Sequence, residues 1–345
     1  MKIVVLAGGL STERDVSLVS GRGIYNALKE RGHKVILLDV FLGYEGNTED
    51  IFDTDTDWAS MVAPVSKKTP DLDEIRAMRK DGAKVFFGPN VISICQAADI
   101  VFMALHGDCG ENGKIQATFD LMGIKYTGTG SFSSALAMDK AISKTLFKMY
   151  GVATPDCYML KSADDGYKPD YPCVVKICNG GSSVGVYVAN NDSEYRSAVY
   201  DAFRYESRVI VEEYIKGREF TCCVIEGMPL PIVEIEPKSG FYDYKNKYQA
   251  GSTIETCPAE VDNDTATKIQ AEAVKAYNAL QISTYARMDF IMNEKGEVFC
   301  LEANTLPGMT PTSLIPQEAA AIGKSYGDLC EWIIEISMKK WAENA

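Results

Sequence analysis

The sequence predicts a fold of mixed α/β and α+β class: an N-terminal domain on a doubly wound parallel sheet, followed by two further lobes. Apolar strand-like runs at 2–7, 35–40 and 99–105 alternate with helical patterns, as in a parallel sheet that is buried on both faces. Gly-rich polar loops follow the first and the third of these runs. Beyond residue 217 strands and helices mix without this alternation, which favours an α+β lobe.

Composition is that of an ordinary globular protein, with 345 residues of which 46% are hydrophobic and 24% are charged. This length predicts two or three domains. The longest apolar run, at 100–105, is far shorter than the ~20 residues that a bilayer span needs, and no signal peptide is recognisable. We therefore expect a soluble, cytoplasmic protein without a membrane partner. A net charge of −13 argues against nucleic acid as a partner.

The ten cysteines do not form a metal-binding pattern, because the sequence has no C-x-x-C motif and only two histidines. Cys173, Cys178, Cys222, Cys223 and Cys300 lie in apolar runs, which predicts reduced, buried side chains in a reducing compartment. We do not expect a zinc site.

Individual elements follow from hydrophobic periodicity and from Gly and Pro signals. The first helix is predicted at 16–31, and residues 42–70 are predicted as an irregular surface insertion. A single helix is expected at 134–150, before Gly151 and Pro155. Later strands are predicted at 171–177, 186–188, 208–215, 219–225, 231–236, 286–292 and 298–302, with helices at 264–280 and 327–342. Domain boundaries are placed at 1–127, 128–216 and 217–345.

Four polar residues on two successive strands form the strongest chemical pattern. Arg287 and Asp289 alternate with a period of two, and so do Glu302 and Asn304, so each pair shares one face of its strand. A turn at 293–296 would join the two strands as a hairpin. Three oxygen ligands would then converge beside a guanidinium, which suits Mg²⁺ that also binds phosphates. Two strands with polar residues on their wet side are the alternative.

A glycine-rich segment at 180–185 follows Lys176, with Lys140 on the preceding helix. Backbone amides and two serine hydroxyls there could bind a polyphosphate, although the order differs from that of a P-loop. A plain hairpin turn is the alternative. Gly8-Gly9 lacks the dinucleotide fingerprint, which leaves a nicotinamide site weakly supported.

Other polar residues carry no decisive local signal. By pattern alone, Glu212, Glu213 and Glu219 are interpreted as surface acids at strand ends. The alternative is that these carboxylates accept hydrogen bonds from an adenine amino group or from ribose hydroxyls. His106 follows a parallel strand, where a structural role and a functional role are equally open.

Taken together, ten short motifs give a resemblance to the D-alanine–D-alanine ligase family of the ATP-grasp superfamily along nearly the whole chain. They are STERDVS at 11–17, HGDCGENG at 106–113, YTGTG at 126–130, AMDK at 137–140, GSSVG at 181–185, YDYKNKY at 242–248, CPA at 257–259, RMD at 287–289, LEANT at 301–305 and PGMT at 307–310. Lobes 128–216 and 217–345 would then form a two-lobed ATP-grasp fold.

The resemblance implies a role for each matching position. ATP would be bound by Lys140, Lys176, Gly181, Ser183, Glu212, Glu213, Ile215 and Glu219. Two Mg²⁺, or Mn²⁺, would be held by Asp289, Glu302 and Asn304. Glu13, Ser182 and Tyr248 would form a trio near the first D-alanine, with His106 and Glu111 lining that subsite. The second D-alanine would be received by Lys247, Ser313 and Leu314.

The implied reaction joins two D-alanines through a D-alanyl phosphate, for peptidoglycan precursors. Arg287 and a backbone amide near Gly308 would stabilise the tetrahedral oxyanion. A lid is expected at about 238–252, since acyl phosphates hydrolyse in water. The resemblance also implies a homodimer.

Two alternatives remain open. A D-alanine–D-serine ligase differs only in accepting one extra hydroxyl, whereas Tyr248 in place of a lid His disfavours D-lactate. A non-catalytic nucleotide-binding protein on the same fold is the second alternative.

Overall fold

The computed structural model describes residues 1–61, 70–181, 184–238 and 253–343. Its strands are β1 (Lys2–Ala7), β2 (Lys34–Asp39), β3 (Ile100–Met103), β4 (Cys157–Leu160), β5 (Cys173–Ile177), β6 (Val186–Ala189), β7 (Val209–Glu213), β8 (Gly217–Ile225), β9 (Met228–Pro229), β10 (Val233–Pro237), β11 (Thr253–Thr256), β12 (Tyr285–Asn293) and β13 (Val298–Asn304). Its α-helices are α1 (Arg14–Glu30), α2 (Leu72–Ala77), α3 (Val91–Gln96), α4 (Asp108–Glu111), α5 (Lys114–Met122), α6 (Ser131–Met138), α7 (Lys140–Met149), α8 (Asp192–Tyr205), α9 (Asn263–Ala279), α10 (Leu314–Ala321) and α11 (Tyr326–Glu343).

The chain forms two compact units. The first contains residues 1–134, 283–286 and 305–345, and the second contains residues 135–282 and 287–304. The three-domain division at residues 127 and 216 stays a prediction.

A parallel sheet in the order β2-β1-β3 forms the centre of the first unit. Its strands are almost entirely apolar, and Ile3 to Ala7 are fully buried, as expected for a parallel sheet covered on both faces. The predicted parallel sheet is therefore confirmed. Helix α1 packs on β1 and β2 through a face that includes Val16, Ile24 and Leu28.

The insertion at 42–70 is largely irregular where it is described, as predicted, with 3₁₀ turns at Ile51–Asp53 and Trp58–Met61. Its predicted surface position is wrong in part, since Ile51, Phe52 and Trp58 are buried. These side chains anchor the insertion by burying apolar area.

Two sheets define the second unit. The order β4-β7-β5-β6 makes one sheet, and β11-β10-β8-β12-β13 makes the other, with β9 paired to β8. The first sheet is covered by α8, whose Tyr195, Val199 and Ala202 join its core. This mixture of strands and helices agrees with the predicted α+β class.

The single helix predicted at 134–150 is wrong: α6 ends at Met138 and α7 begins at Lys140. Asp139 lies between them in an extended conformation, and its side chain accepts hydrogen bonds from the amides of Ala141 and Ile142. It is thus the N-cap of a new helix. Arg208 forms an ion pair with the same carboxylate. The break makes Lys140 the first residue of α7.

Most cysteine side chains are buried in these cores, as predicted. Eight of the ten are buried and two are partly exposed: Cys95, Cys109, Cys173, Cys178, Cys222, Cys223, Cys300 and Cys330 in the first group, Cys157 and Cys257 in the second. Burial raises the pKa of the Cys178 thiol to about 12. In the described ranges no helix is long and apolar enough to cross a bilayer.

Candidate active site

A cavity that is open to solvent lies in the second unit. Apolar side chains from both sheets line it, among them Val174, Val186, Phe220 and Leu301. Charged groups line it as well, from α7, β5, β7, β12 and β13. The cavity therefore combines apolar walls, which suit a flat aromatic base, with groups that suit charged phosphates.

Lys176 and Lys144 lie on either side of the buried Glu212 carboxylate. Nζ of Lys176 is 2.7 Å from Oε2 of Glu212, and Nζ of Lys144 is 3.2 Å from Oε1. Only 2% of Glu212 is exposed, so the surface position predicted from its pattern is wrong. Residues 209–212 of β7 are all buried, and alternation places Glu212 on the face opposite Val209 and Val211, which join the core under α8, so that Glu212 faces the cavity.

Charge and burial compete in this cluster. Burial by itself raises the pKa of the Glu212 carboxyl, but the two lysines outweigh it and hold this pKa below its ordinary value. Burial lowers the pKa of Lys144. Desolvation also acts on Lys176, but the neighbouring Glu212 outweighs it and raises that pKa. With all three groups ionised the cluster has one excess positive charge, which favours an anionic ligand.

Lys140 is the second cation that lines the cavity. Its Nζ donates to the carbonyl of Gly180 at 2.9 Å and lies 3.3 Å from Oε2 of Glu302. The amide of Asn179, just before Gly180, donates to Oε2 of Glu206 at 2.7 Å. These contacts hold the start of the glycine-rich segment beside both lysines.

Strands β12 and β13 pair as the predicted hairpin. Their register sets Arg287 opposite Asn304 and Asp289 opposite Glu302, with an irregularity just after Asp289. Nε and Nη2 of Arg287 each donate to Asp289 at 2.8 Å. Thr221 also donates to Asp289 at 2.8 Å. Asp289 and Glu302 both line the cavity. Period-two alternation thus brings these polar groups together as expected.

The donor set is suited to a hard divalent cation. Asp289 and Glu302 offer carboxylate oxygens from directly opposed positions, and Asn304 follows on the same face. The Asn304 amide here presents its nitrogen to Asp289 at 3.0 Å. Within the described ranges no group of three or more His, Cys, Asp or Glu side chains could hold a metal. A metal at this hairpin therefore needs the amide, or oxygens supplied by a ligand.

Three further residues predicted to bind ATP lie at the junction of β7 and β8. Glu213 is exposed and accepts a hydrogen bond from the amide of Asp156 at 2.8 Å. Ile215 and Glu219 are partly buried. All three line the cavity, as does Gly181.

A second cluster, in the first unit, contains predicted D-alanine residues. Glu13 and His106 are both buried. Gly107 has a φ of +71°, which favours glycine, and a Cβ there would be 2.5 Å from Oε2 of Glu13. Oε2 of Glu111 accepts the amide of Gly107 at 2.9 Å.

The segment 306–313 carries the remaining predicted substrate residues that the structure describes. Oγ of Ser313 accepts the amide of Thr310 at 3.0 Å and lies against Gly308, where a Cβ would be 2.8 Å from it. Leu314 is buried at the start of α10. Ser182, Ser183, Lys247, Tyr248 and most of the expected lid at 238–252 lie outside the described residues.

Sequence reasoning missed several polar residues that hold these clusters in place. Lys144 was overlooked although it lies one helical turn after Lys140, the spacing that puts both on one face of α7. Ser20 contacts both His106 and Met309, and Tyr326 contacts Met309. No local signal marks these two, because their partners are distant in the sequence.

The fold and the lysine–carboxylate cavity define an ATP-dependent ligase of the ATP-grasp type. Family models described as D-ala D-ala ligase N-terminus and C-terminus match residues 2–129 and 146–335. The chain belongs to the D-alanine–D-alanine ligase family.

Relatives and solved structures agree with this assignment. The D-alanine–D-alanine ligase of Pediococcus pentosaceus is 46% identical, over 99% of both chains. The enzyme of Lacticaseibacillus casei is also 46% identical, over 99% of this chain and 97% of its own. The crystal structure of the Bacillus anthracis ligase complexed with ATP has a TM-score of 0.77 at 29% identity, with full coverage of both chains. That of the VanG D-Ala:D-Ser ligase from Enterococcus faecalis has a TM-score of 0.75 at 29% identity, covering 97% of this chain and 99% of that one.

Proposed function

We propose that this chain joins two D-alanines to D-alanyl-D-alanine at the expense of ATP, in the synthesis of peptidoglycan precursors. The observation that carries the proposal is one cavity that contains Lys140 and Lys176 together with the opposed carboxylates of Asp289 and Glu302. Phosphoryl transfer to a carboxylate needs this combination, because charge on the phosphates must be neutralised from several directions.

ATP is the co-substrate of this reaction. The apolar walls of the cavity suit its adenine. We propose that the adenine is bound by the Glu212 carboxylate and the backbone at Glu213–Ile215, and the ribose by the Glu219 carboxylate. Lys140 and Lys176 are proposed to bind its phosphates, with the amides of Gly181 and Ser183. The ion pair with Glu212 supports this role for Lys176, since it fixes a long side chain that would otherwise lose conformational entropy on binding.

Mg²⁺, or Mn²⁺, is proposed to be held by Asp289, Glu302 and Asn304, and when bound it neutralises phosphate charge. This chain's own cations occupy these carboxylates in the structure: Arg287 contacts Asp289, and Lys140 contacts Glu302. Both carboxylates therefore already stabilise positive charge at these positions.

The first chemical step forms a D-alanyl phosphate. A carboxylate oxygen of the first D-alanine attacks the γ-phosphorus of ATP, the bond to the β-phosphate oxygen breaks, and ADP leaves. Glu13 is proposed to bind the ammonium of this D-alanine, with Ser182 and Tyr248 completing a hydrogen-bonded trio. The buried carboxylate of Glu13 is suited to a cation of this kind.

The second step forms the peptide bond. The deprotonated amine of the second D-alanine attacks the acyl carbon, and phosphate leaves from the tetrahedral intermediate. Arg287 and the Gly308 amide are proposed to stabilise its oxyanion. Lys247, Ser313 and Leu314 are proposed to bind the second D-alanine, and His106 and Glu111 to border the first. A lid at about 238–252 and a homodimer complete the proposal.

D-serine is the second candidate for the acceptor, because a D-Ala:D-Ser ligase shares the fold over nearly the whole chain. An extra hydroxyl is rejected only weakly by a pocket of the same shape. The two substrates must therefore be compared directly.

Phosphate release from ATP and Mg²⁺ tests the proposal when it is measured with D-alanine alone, L-alanine, D-alanine plus D-serine, and D-alanine plus D-lactate. We expect D-alanine-dependent release and the product mass of D-alanyl-D-alanine. Arg287→Ala should lower turnover about 100-fold while ATP still binds. Arg218→Ala is the matched control, since Arg218 also pairs with a carboxylate, but its partner Glu234 does not line the cavity, whereas Asp289, the partner of Arg287, does. ATP binding without release on any D-amino acid would overturn the proposal.

A further inference from the structure

Gly308 lies in a backbone segment that side chains hold at Leu306, two residues earlier. Oε1 of Glu111 accepts the amide of Leu306 at 3.1 Å. Nδ1 of His106 lies 3.0 Å from the carbonyl oxygen of Leu306. Both polar groups of the Leu306 backbone are therefore bound to side chains from one stretch, 106–111.

The residue after Gly308 is held in the same way, from two helices. The amide of Met309 donates to Oγ of Ser20 on α1 at 3.3 Å. The hydroxyl of Tyr326, the first residue of α11, donates to the carbonyl of Met309 at 2.6 Å. Burial of Met309, at 2% exposed, leaves water little access to these groups.

Ser20 and His106 connect the two sides. Oγ of Ser20 lies 2.9 Å from Nε2 of His106, and both residues are buried. A carbonyl only accepts, so the contact with Leu306 requires the proton on Nδ1. In the neutral ring Nε2 then accepts from the Ser20 hydroxyl, whose oxygen accepts from Met309. A continuous chain of hydrogen bonds thus joins Met309 to Leu306 through Ser20 and His106.

We propose that Ser20 and Tyr326 are positioning residues, which hold the Leu306–Met309 segment so that the Gly308 amide keeps its direction. The inference rests on the proposed function, in which that amide stabilises an oxyanion. Neither residue needs to touch a substrate. An oxyanion donor acts only within a narrow range of distance and angle, so a small displacement of the segment lowers the rate.

Ser20→Ala tests the proposal, with Ser17→Ala as its matched control. Ser17 is fully buried on the same helix, one turn earlier. It also bonds two backbone groups, accepting from Gly8 at 2.8 Å and donating to Ala104 at 2.6 Å, but none in 306–309. Both variants lose two hydrogen bonds in one core. We expect kcat to fall about 10-fold or more in Ser20→Ala with an unchanged KM for ATP. Ser17→Ala should keep kcat.

Tyr326→Phe gives a second test if Ser20→Ala does not fold. It removes only the hydroxyl bound to Met309. Tyr126→Phe is its control, because the buried Tyr126 hydroxyl donates to Asp120 instead. A drop in kcat for Tyr326→Phe alone supports the proposal. Equal kcat values in all four variants and the wild type would overturn it.

The hydrogen-bond chain can also be tested without any assay of ligation. The sequence contains two histidines only, so ¹⁵N labelling of histidine gives two imidazoles, and His33→Gln identifies the signal of His106. We expect the Nδ1–H tautomer for His106 in the wild type and in Ser17→Ala, and a mixture of tautomers in Ser20→Ala. The Nε2–H tautomer in the wild type would overturn the proposed chain of hydrogen bonds, whether or not the enzyme ligates D-alanine. Absence of D-alanine-dependent phosphate release with the expected tautomer would overturn the proposed function instead.

Discussion

Lys176 and Glu212 form a buried ion pair across two neighbouring antiparallel strands, with 2.7 Å between Nζ and Oε2. The register of β5 and β7 sets Glu212 opposite Val174, two residues from Lys176, so the pair is diagonal. Long side chains reach each other at this offset. A second lysine, Lys144 on α7, lies 3.2 Å from the other carboxylate oxygen. One carboxylate is therefore the counter-ion of two buried lysines, and the cluster keeps one excess positive charge.

Glu212→Gln should destabilise the protein and weaken ATP binding together. The variant leaves two buried ammonium groups without the carboxylate that pairs with both, which costs about 3 kcal/mol in the free energy of unfolding. Chemical denaturation measures this loss, and a titration with ATP measures the affinity.

Glu234→Gln is the control for this variant. Glu234 is also buried, but it pairs with one cation only, and the side chain of that Arg218 is 47% exposed. Water can solvate Arg218 when the carboxylate is removed, so the loss of stability should be smaller and the affinity for ATP unchanged. Equal losses in the two variants would contradict the argument from burial.

Lys340 should make stability rise with pH above about 8. Its Nζ donates to the carbonyl of Gly128 at 2.8 Å and lies 4.2 Å from the centre of the Tyr126 ring. Burial lowers its pKa from 10.5 to about 8, and Asp120 opposes the shift. Between these pH values the unfolded chain binds more protons than the folded one, so the free energy of unfolding rises with pH. Well below pH 8, Lys340 is protonated in both the folded and the unfolded state, and it no longer makes the free energy of unfolding depend on pH.

The Lys340→Met variant isolates this effect. Relative to that variant, the wild type should gain about 3 kcal/mol in its free energy of unfolding between pH 7.5 and 10.5. Denaturation at several pH values in this range measures the difference. Lys339→Met, at the exposed neighbouring position, should leave the pH dependence as in the wild type. Parallel curves for Lys340→Met and the wild type would mean that burial does not shift the Lys340 titration.

Glu302→Gln should raise the Mg²⁺ concentration that half-activates the enzyme about 10-fold or more, because it removes a proposed ligand charge. Mn²⁺ binding, followed by electron paramagnetic resonance in the presence of ADP, measures the same loss without turnover. Glu297→Gln in the same hairpin is the control, since Glu297 is exposed and contacts Asn293.

The outcome also separates two roles of this carboxylate. Glu302 lies 3.3 Å from Lys140, so a variant that binds Mn²⁺ normally but has a raised KM for ATP would show that Glu302 serves the lysine and not the metal.

Local patterns in the sequence were enough to predict features that depend only on the residues of one strand or one hairpin. Arg287 and Asp289 share a face because side chains alternate along any strand, and the hairpin follows from the turn at 293–296. The parallel sheet follows equally from its continuous apolar strands.

Residues held by distant partners could not be predicted in this way. Asp139 interrupts a helical pattern because its carboxylate caps α7 and pairs with Arg208, 69 positions later. A glutamate at the position of Glu212 is typical of an exposed strand end, yet two lysines on other elements permit its burial. In both cases an interaction with a residue distant in the sequence compensates for an unfavourable free energy, of breaking a helix at Asp139 or of burying a charge at Glu212.

Gly308→Ala should lower turnover about 100-fold with little effect on ATP binding, the size of effect expected when an oxyanion donor is displaced. A Cβ at this position would be 2.8 Å from Oγ of Ser313, closer than Cβ atoms approach other heavy atoms, so one of the two must move. The Ser313 hydroxyl is itself held by the amide and the hydroxyl of Thr310, so we expect the displacement to fall on the Gly308 backbone, including its amide. Gly130→Ala is the matched control, since a Cβ there meets nothing within 4 Å. Single-turnover phosphate release measures both variants, and wild-type turnover in Gly308→Ala would show that Ser313 yields and that the amide keeps its direction.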